Sequence, residues 1–149
     1  MNSNPASNSN PASNSNPASN TNTSANTNPS ANAAAEELRQ KKCLPCEGGV
    51  PALSTDEACL LTKAAPDWTI SSDGKWISRS IRFKNFAEMM KAVVKIADLA
   101  EAEAHHPDLH LTGYRHLRIE LTTHAIGGLS ENDFVLATKI DHLLAPLPS

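Results

Sequence analysis

Five of the six histidines, His105, His106, His110, His116 and His124, fall within twenty residues of a 149-residue chain. An imidazole with an unperturbed pKa of about 6.5 gives and takes protons near neutrality, so convergent histidines suit acid and base work on a neutral substrate. They also suit zinc. Against zinc, there is no His-Glu-x-x-His, and the adjacent His105 and His106 must point in different directions. His116 and His142 fall on polar faces and read as surface residues without a role.

The elements around these residues follow from periodicity and capping signals. Asn85 with Glu88 marks a helix start, and Phe86, Met89, Met90, Val93, Ile96, Ala97 and Ala100 recur at three- and four-residue spacing. That predicts a helix over residues 86–104, stopped near His106 because Pro107 disfavours helical geometry before it. The histidine pair therefore sits at a helix end. Leu109 and Leu111, then Leu117, Ile119 and Leu121, alternate with polar residues across Gly113, predicting one or two strands. Gly127-Gly128 is a turn, Ser130 with Asp133 a cap, and Leu129 with Phe134 a hydrophobic staple for a last helix lined by Phe134, Ala137, Ile140 and Leu144. Upstream, Ser54 and Glu57 form a capping box for a short helix carrying Ala58, Leu61 and Ala65, which Pro66 ends. Trp68 to Ser71 and Trp76 to Phe83 flank Ser72-Asp73-Gly74 as a hairpin, with both tryptophans expected in sheet packing or an oligomer interface. The expected class is α+β, an antiparallel sheet of about four strands with helices packed on one face.

All 29 charged side chains lie beyond Ala35. Before it, Asn-Pro-Ala-Ser-Asn recurs around Pro5, Pro11 and Pro17 and decays into Asn, Thr, Ser and Ala. Residues 1–35 are thus expected to be a disordered tail, 36–52 an irregular Cys-x-x-Cys leader, and 53–146 the folded domain. A net charge of −3 and a pI near 6.0 leave no basic footprint for nucleic acid. No stretch reaches the ~20 apolar residues of a membrane span, and no export signal is evident, so the expected address is cytoplasmic. Three cysteines then read as reduced thiols. Cys43-x-x-Cys46 has metal-ribbon or redox spacing, but without a second pair it reads as structural or incidental.

Glu101, His105-His106-Pro107, Tyr114, His124 and Asp133 occur at spacings that resemble the signature of the pterin-4a-carbinolamine dehydratase family. The run from Leu121 through Thr122-Thr123-His124 and Gly127-Gly128 to Asp133 resembles a second family segment, and Cys43 to Val50 resembles the leader of a bacterial-type branch. The likeness covers residues 54–144. Many relatives carry Trp where this chain has Leu109, and Asp where it has Ala125, which bears on substrate contacts and pH dependence. The resemblance implies dehydration of 4a-hydroxytetrahydropterin to quinonoid dihydropterin and water, recycling the pterin used by an aromatic amino acid hydroxylase. It implies no metal and no other cofactor. It implies His105 and His124 in proton transfer, His106 holding the pterin, Asp133 orienting or charging an imidazole, and Pro107 aiming the pair. Glu101, one helical turn before His105, is expected to orient that ring, and Tyr114 to pack beside the site. A homodimer or homotetramer is implied as well.

Two other readings share the same residues. One is a protein-binding module, since animal members of the family also act as dimerisation cofactors of a transcription factor. The other keeps the dehydratase and changes the pterin.

Overall fold

A computed structural model describes residues 29–45 and 51–146. The expected tail up to residue 28, and Cys46 with the rest of its leader to Val50, lie outside the described residues. Four helices, α1 (Pro29–Gln40), α2 (Thr55–Thr62), α3 (Phe86–Glu103) and α4 (Glu131–Leu144), accompany four strands, β1 (Thr69–Ile70), β2 (Ile77–Arg82), β3 (Asp108–Thr112) and β4 (His116–Leu121). The sheet runs β1-β2-β4-β3 and every pairing is antiparallel. This is the expected α+β class.

Register explains which face is covered. Ile77 pairs with Leu121, Ile81 with Leu117 and Leu109 with Ile119, so one face of the sheet is aliphatic apart from Arg79, which Asp67 and Asp141 pair. The other carries Ser78, Ser80 and Arg82 opposite Glu120, Arg118 and His116. Alternation of this kind leaves one face for helices and one for solvent. Helix α4 lies at the centre, contacting α1, α2 and α3, and is buried from Asn132 to Thr138. Its Leu129 and Phe134 staple is wholly buried.

The expected capping residues close their helices. The Ser54 and Glu57 box caps α2, and the Asn85 side chain accepts from the Glu88 N–H at 2.9 Å at the start of α3. Met89, Ala92, Ile96 and Ala100 form the buried stripe of α3. Helix α2 ends at Thr62, before the expected Pro66 stop, but Ala65 still packs without exposure.

One boundary differs from expectation. Residues 29–40, assigned by composition to the end of a disordered tail and the start of an irregular leader, form α1. Pro29 occupies the first helical position, where its missing N–H costs nothing, and Ala31, Ala33, Ala34 and Ala35 are the strongest helix formers. Leu38, buried to 5% exposure, docks the helix on the core, and the Arg39 guanidinium donates to His142 Nδ1 at 3.1 Å. Local propensity combined with one apolar anchor outweighs the low-complexity character of the segment.

Candidate active site

The end of α3 sets the direction of the histidine pair. Ala104 adopts a left-handed conformation with φ 52°, its N–H donating to the Glu101 carbonyl, while the His105 N–H donates to the Ala100 carbonyl, both at 3.2 Å. These two bonds are a Schellman close, which breaks the helical register after Glu103. His105 and His106 therefore leave the helix on divergent paths before Pro107 starts the chain toward β3.

His105 turns inward, its side chain 11% exposed, and its Nε2 lies 2.7 Å from Oδ1 of the fully buried Asp133. Asp133 stands in the first turn of α4 and uses its two oxygens differently. Oδ2 accepts from the Ser130 N–H at 2.8 Å, completing the helix cap, and from the Thr123 hydroxyl at 2.9 Å. Oδ1 is left for the imidazole. A carboxylate only accepts, so the His105 proton in this contact is on Nε2, and whenever the ring is neutral Nδ1 is its acceptor. His106 turns outward, with Nε2 2.7 Å from Glu101 Oε1, and both side chains are mostly exposed.

His124 comes from a different part of the chain. It opens a single 3-10 turn over His124–Ile126, which follows β4 and is closed by Gly127 at φ 66°. Its ring meets Trp76 at a centroid separation of 5.6 Å and an interplanar angle of 80°. His105, His106 and His124 together line a cleft of about 250 Å³ that also includes Leu44, Thr123 and Asn132. Among the described residues, no three His, Cys, Asp or Glu side chains gather as metal ligands would.

Sequence-derived expectations meet this geometry unevenly. The three histidines converge, and Asp133 supports one of them. Glu101 is corrected: it pairs with His106, not His105, because the left-handed Ala104 cancels the one-turn spacing on which the expectation stood. Tyr114 is not brought to the cleft; it is 61% exposed in the β3–β4 turn, beneath Arg115, with the length of the sheet between it and His124. Pro107 is half-buried behind the pair. His110 pairs with Glu120 on the polar sheet face, and His116 and His142 are exposed. Leu109 packs toward the core, while Ala125 presents only a methyl group to the cleft.

Sequence reasoning missed Trp76, Thr123, Asn132 and Leu44. Trp76, for which the sequence suggests sheet packing or an oligomer interface, abuts His124, whereas Trp68 is buried with its indole N–H donating to Asp141 at 2.8 Å. Thr123 had a signal, since it lies next to His124 in the second family-like segment.

The family model described as pterin 4 alpha carbinolamine dehydratase matches residues 51–143. A Methylococcus capsulatus protein named as a candidate pterin-4-alpha-carbinolamine dehydratase is 43% identical over 108 residues, which is 72% of this chain and 94% of that protein. Pterin-4-alpha-carbinolamine dehydratase 2, mitochondrial, of Arabidopsis thaliana is 43% identical over 110 residues, covering 72% of this chain and 59% of that protein. The crystal structure of a transcriptional coactivator/pterin dehydratase from Brucella melitensis superposes with a TM-score of 0.59 at 26% identity, covering 63% of this chain and 99% of that one.

Proposed function

The chain belongs to the pterin 4 alpha carbinolamine dehydratase family, and from that premise we propose that it is a hydro-lyase converting 4a-hydroxytetrahydropterin to quinonoid dihydropterin and water. The observation that carries this reading is the convergence of His105, His106 and His124 on one cleft, with buried Asp133 behind His105.

In this reaction the bond from C4a to its hydroxyl oxygen breaks and N5 loses a proton. The N5–H electron pair becomes the second bond between N5 and C4a. One proton is taken and one is given, so no oxidant or reductant enters the balance. His105 is the base on N5, because the Asp133 carboxylate stabilises the imidazolium that forms. His124, across the cleft, is the acid that converts the departing hydroxyl to water. His106, braced by Glu101, holds the pterin. Positioned acid and base groups contribute roughly 10²–10⁴ in rate.

The setting we propose is the cytosol, where the product returns to an aromatic amino acid hydroxylase. The enzyme works as a homodimer or homotetramer: β3 is an outer strand, and Phe86, Val94 and Leu111 leave apolar surface exposed. A monomeric mass by light scattering would reject that assembly.

The test follows the loss of the carbinolamine's ultraviolet absorbance at neutral pH with EDTA present. Wild type is expected to outrun buffer and ignore the chelator, and His124→Ala to lose about a hundredfold or more. Wild type no faster than buffer refutes the activity, and wild type silenced by EDTA replaces acid/base chemistry with a metal.

A further inference from the structure

The segment 41–45, which carries no assigned role, is fastened beside the histidine cleft by five contacts. Lys41 pairs with Glu131 at the start of α4. The Cys43 N–H donates to Glu103 Oε2 at 3.0 Å, and its thiol donates to the Asn132 carbonyl at 3.7 Å. Burial, then the Glu103 carboxylate, push that thiol up to about 12, so it stays protonated as a donor. Asn132, 7% exposed, grips Leu44 with both ends of its amide: Oδ1 accepts from the Leu44 N–H at 3.0 Å and Nδ2 donates to the Leu44 carbonyl at 2.7 Å. Glu103 is itself held by Lys139.

This scaffolding ends in a side chain that the protein's own packing does not use. Leu44 is 74% exposed, and it lines the same cleft as His105, His106 and His124. Two partly buried hydrogen bonds fixing the backbone of an isobutyl group held in water gain nothing for the core. They do preorganise an apolar wall for something that enters the cleft. A flat heterocycle has an apolar face as well as polar edges. The histidines serve the edges, and Leu44 meets the face.

We infer that Leu44, clamped by Asn132, is a substrate-contacting residue of the pterin cleft, and that Asn132 is a positioning residue acting through it. The inference rests on the pterin reading of that cleft. Because the contact is made equally with bound substrate and with the transition state, its loss raises KM and leaves kcat in place.

The experiment measures kcat and KM for wild type, Leu44→Ala, Asn132→Ala and the control Leu60→Ala, an exposed leucine on α2. Dissociation of dihydropterin is followed in parallel by quenching of tryptophan fluorescence, since Trp76 abuts His124. Leu44→Ala is expected to raise KM and the dihydropterin Kd about tenfold, the cost of losing most of one buried aliphatic side chain. Its kcat should stay within about twofold, its melting point should not move, and Leu60→Ala should match wild type. Asn132→Ala should raise KM comparably while the Leu44 amide loses hydrogen-exchange protection.

An active wild type with unchanged KM in Leu44→Ala overturns the inference alone. So does a fall in oligomer mass with Leu44→Ala that accounts for the KM change, which would make Leu44 a contact between copies. An inactive wild type that binds dihydropterin, and binds it more weakly in Leu44→Ala, overturns the catalytic reading and leaves the wall standing. If wild type neither dehydrates nor binds, both fall.

Discussion

Replacing Asp133 by Asn separates the two duties of its carboxylate. The substitution keeps volume and leaves one oxygen, which the Ser130 N–H and the Thr123 hydroxyl still claim from 2.8 and 2.9 Å. The other position becomes an NH2 group facing His105 Nε2, where Oδ1 now lies at 2.7 Å. Two donors cannot share that contact, so a neutral imidazole must shift its proton to Nδ1, the atom needed to accept one from N5. A hydrogen bond to a charged partner contributes about 1.5–3 kcal/mol, and each 1.4 kcal/mol is a factor of ten. Asp133→Asn is therefore expected to lower kcat by about 10- to 150-fold through lost stabilisation of the imidazolium, and further through the wrong tautomer. The helix cap survives, so the melting point should drop by no more than a few degrees. Thr123→Val is the complement, losing one hydrogen bond to Oδ2 while keeping the charge, and should cost stability more than rate. The assay is carbinolamine dehydration under saturating substrate, beside thermal melts of each variant. Asp133→Asn with more than half the wild-type kcat and an intact fold would refute the reasoning, because the buried carboxylate would then serve the helix alone.

Three further outcomes follow from the same geometry. Ala104→Gly relieves the left-handed conformation at φ 52° and should stabilise the protein by about 1 kcal/mol, read as a higher melting temperature; a lower one would contradict the strain. Gly128→Ala places a Cβ 2.9 Å from that of Ala52 and should cost about 1–3 kcal/mol in denaturant unfolding, with Ala52→Gly restoring most of it in the double variant. Burial pushes the Glu103 carboxyl up, but the Cys43 N–H and the Lys139 ammonium outweigh it and hold the group below the ordinary 4.5. Its stabilising contribution is thus present above pH 4.5 and lost as pH falls through the lowered value. Glu103→Gln should cost about 3 kcal/mol at pH 7, and the deficit should shrink as the solution is acidified toward pH 3; a deficit independent of pH would contradict the pairing.

What the sequence made legible was local. Asn85, Ser54 with Glu57, and Ser130 with Asp133 satisfy helix ends by bonds to residues three positions away, so spacing alone reveals them. The alternation of Leu117, Ile119 and Leu121 likewise places β4 without knowledge of its partners. The site was legible as a set of residue types at familiar spacings, but not as a set of contacts. The pairing of Glu101 with His106 leaves no mark in the sequence, because an alanine gives no sign that it will take a left-handed close. Tyr114 stands in the family-like pattern yet lies at the far end of the sheet, since pattern spacing follows the chain and a strand carries it away. The clamp of Asn132 on Leu44 spans 88 positions and has no periodic signature. Helix α1 was hidden by composition, its alanines reading as a continuation of the repeat until Leu38 anchors them.

The central claim is that His105 and His124 move two protons in one dehydration. Rates for His105→Ala, His124→Ala and the double variant test it most directly. Two groups that act as a unit should each cost roughly 10²–10⁴ alone, and the double variant should be scarcely slower than the worse single one. Either single variant retaining wild-type rate, or a double variant whose loss is the product of the two, would contradict it.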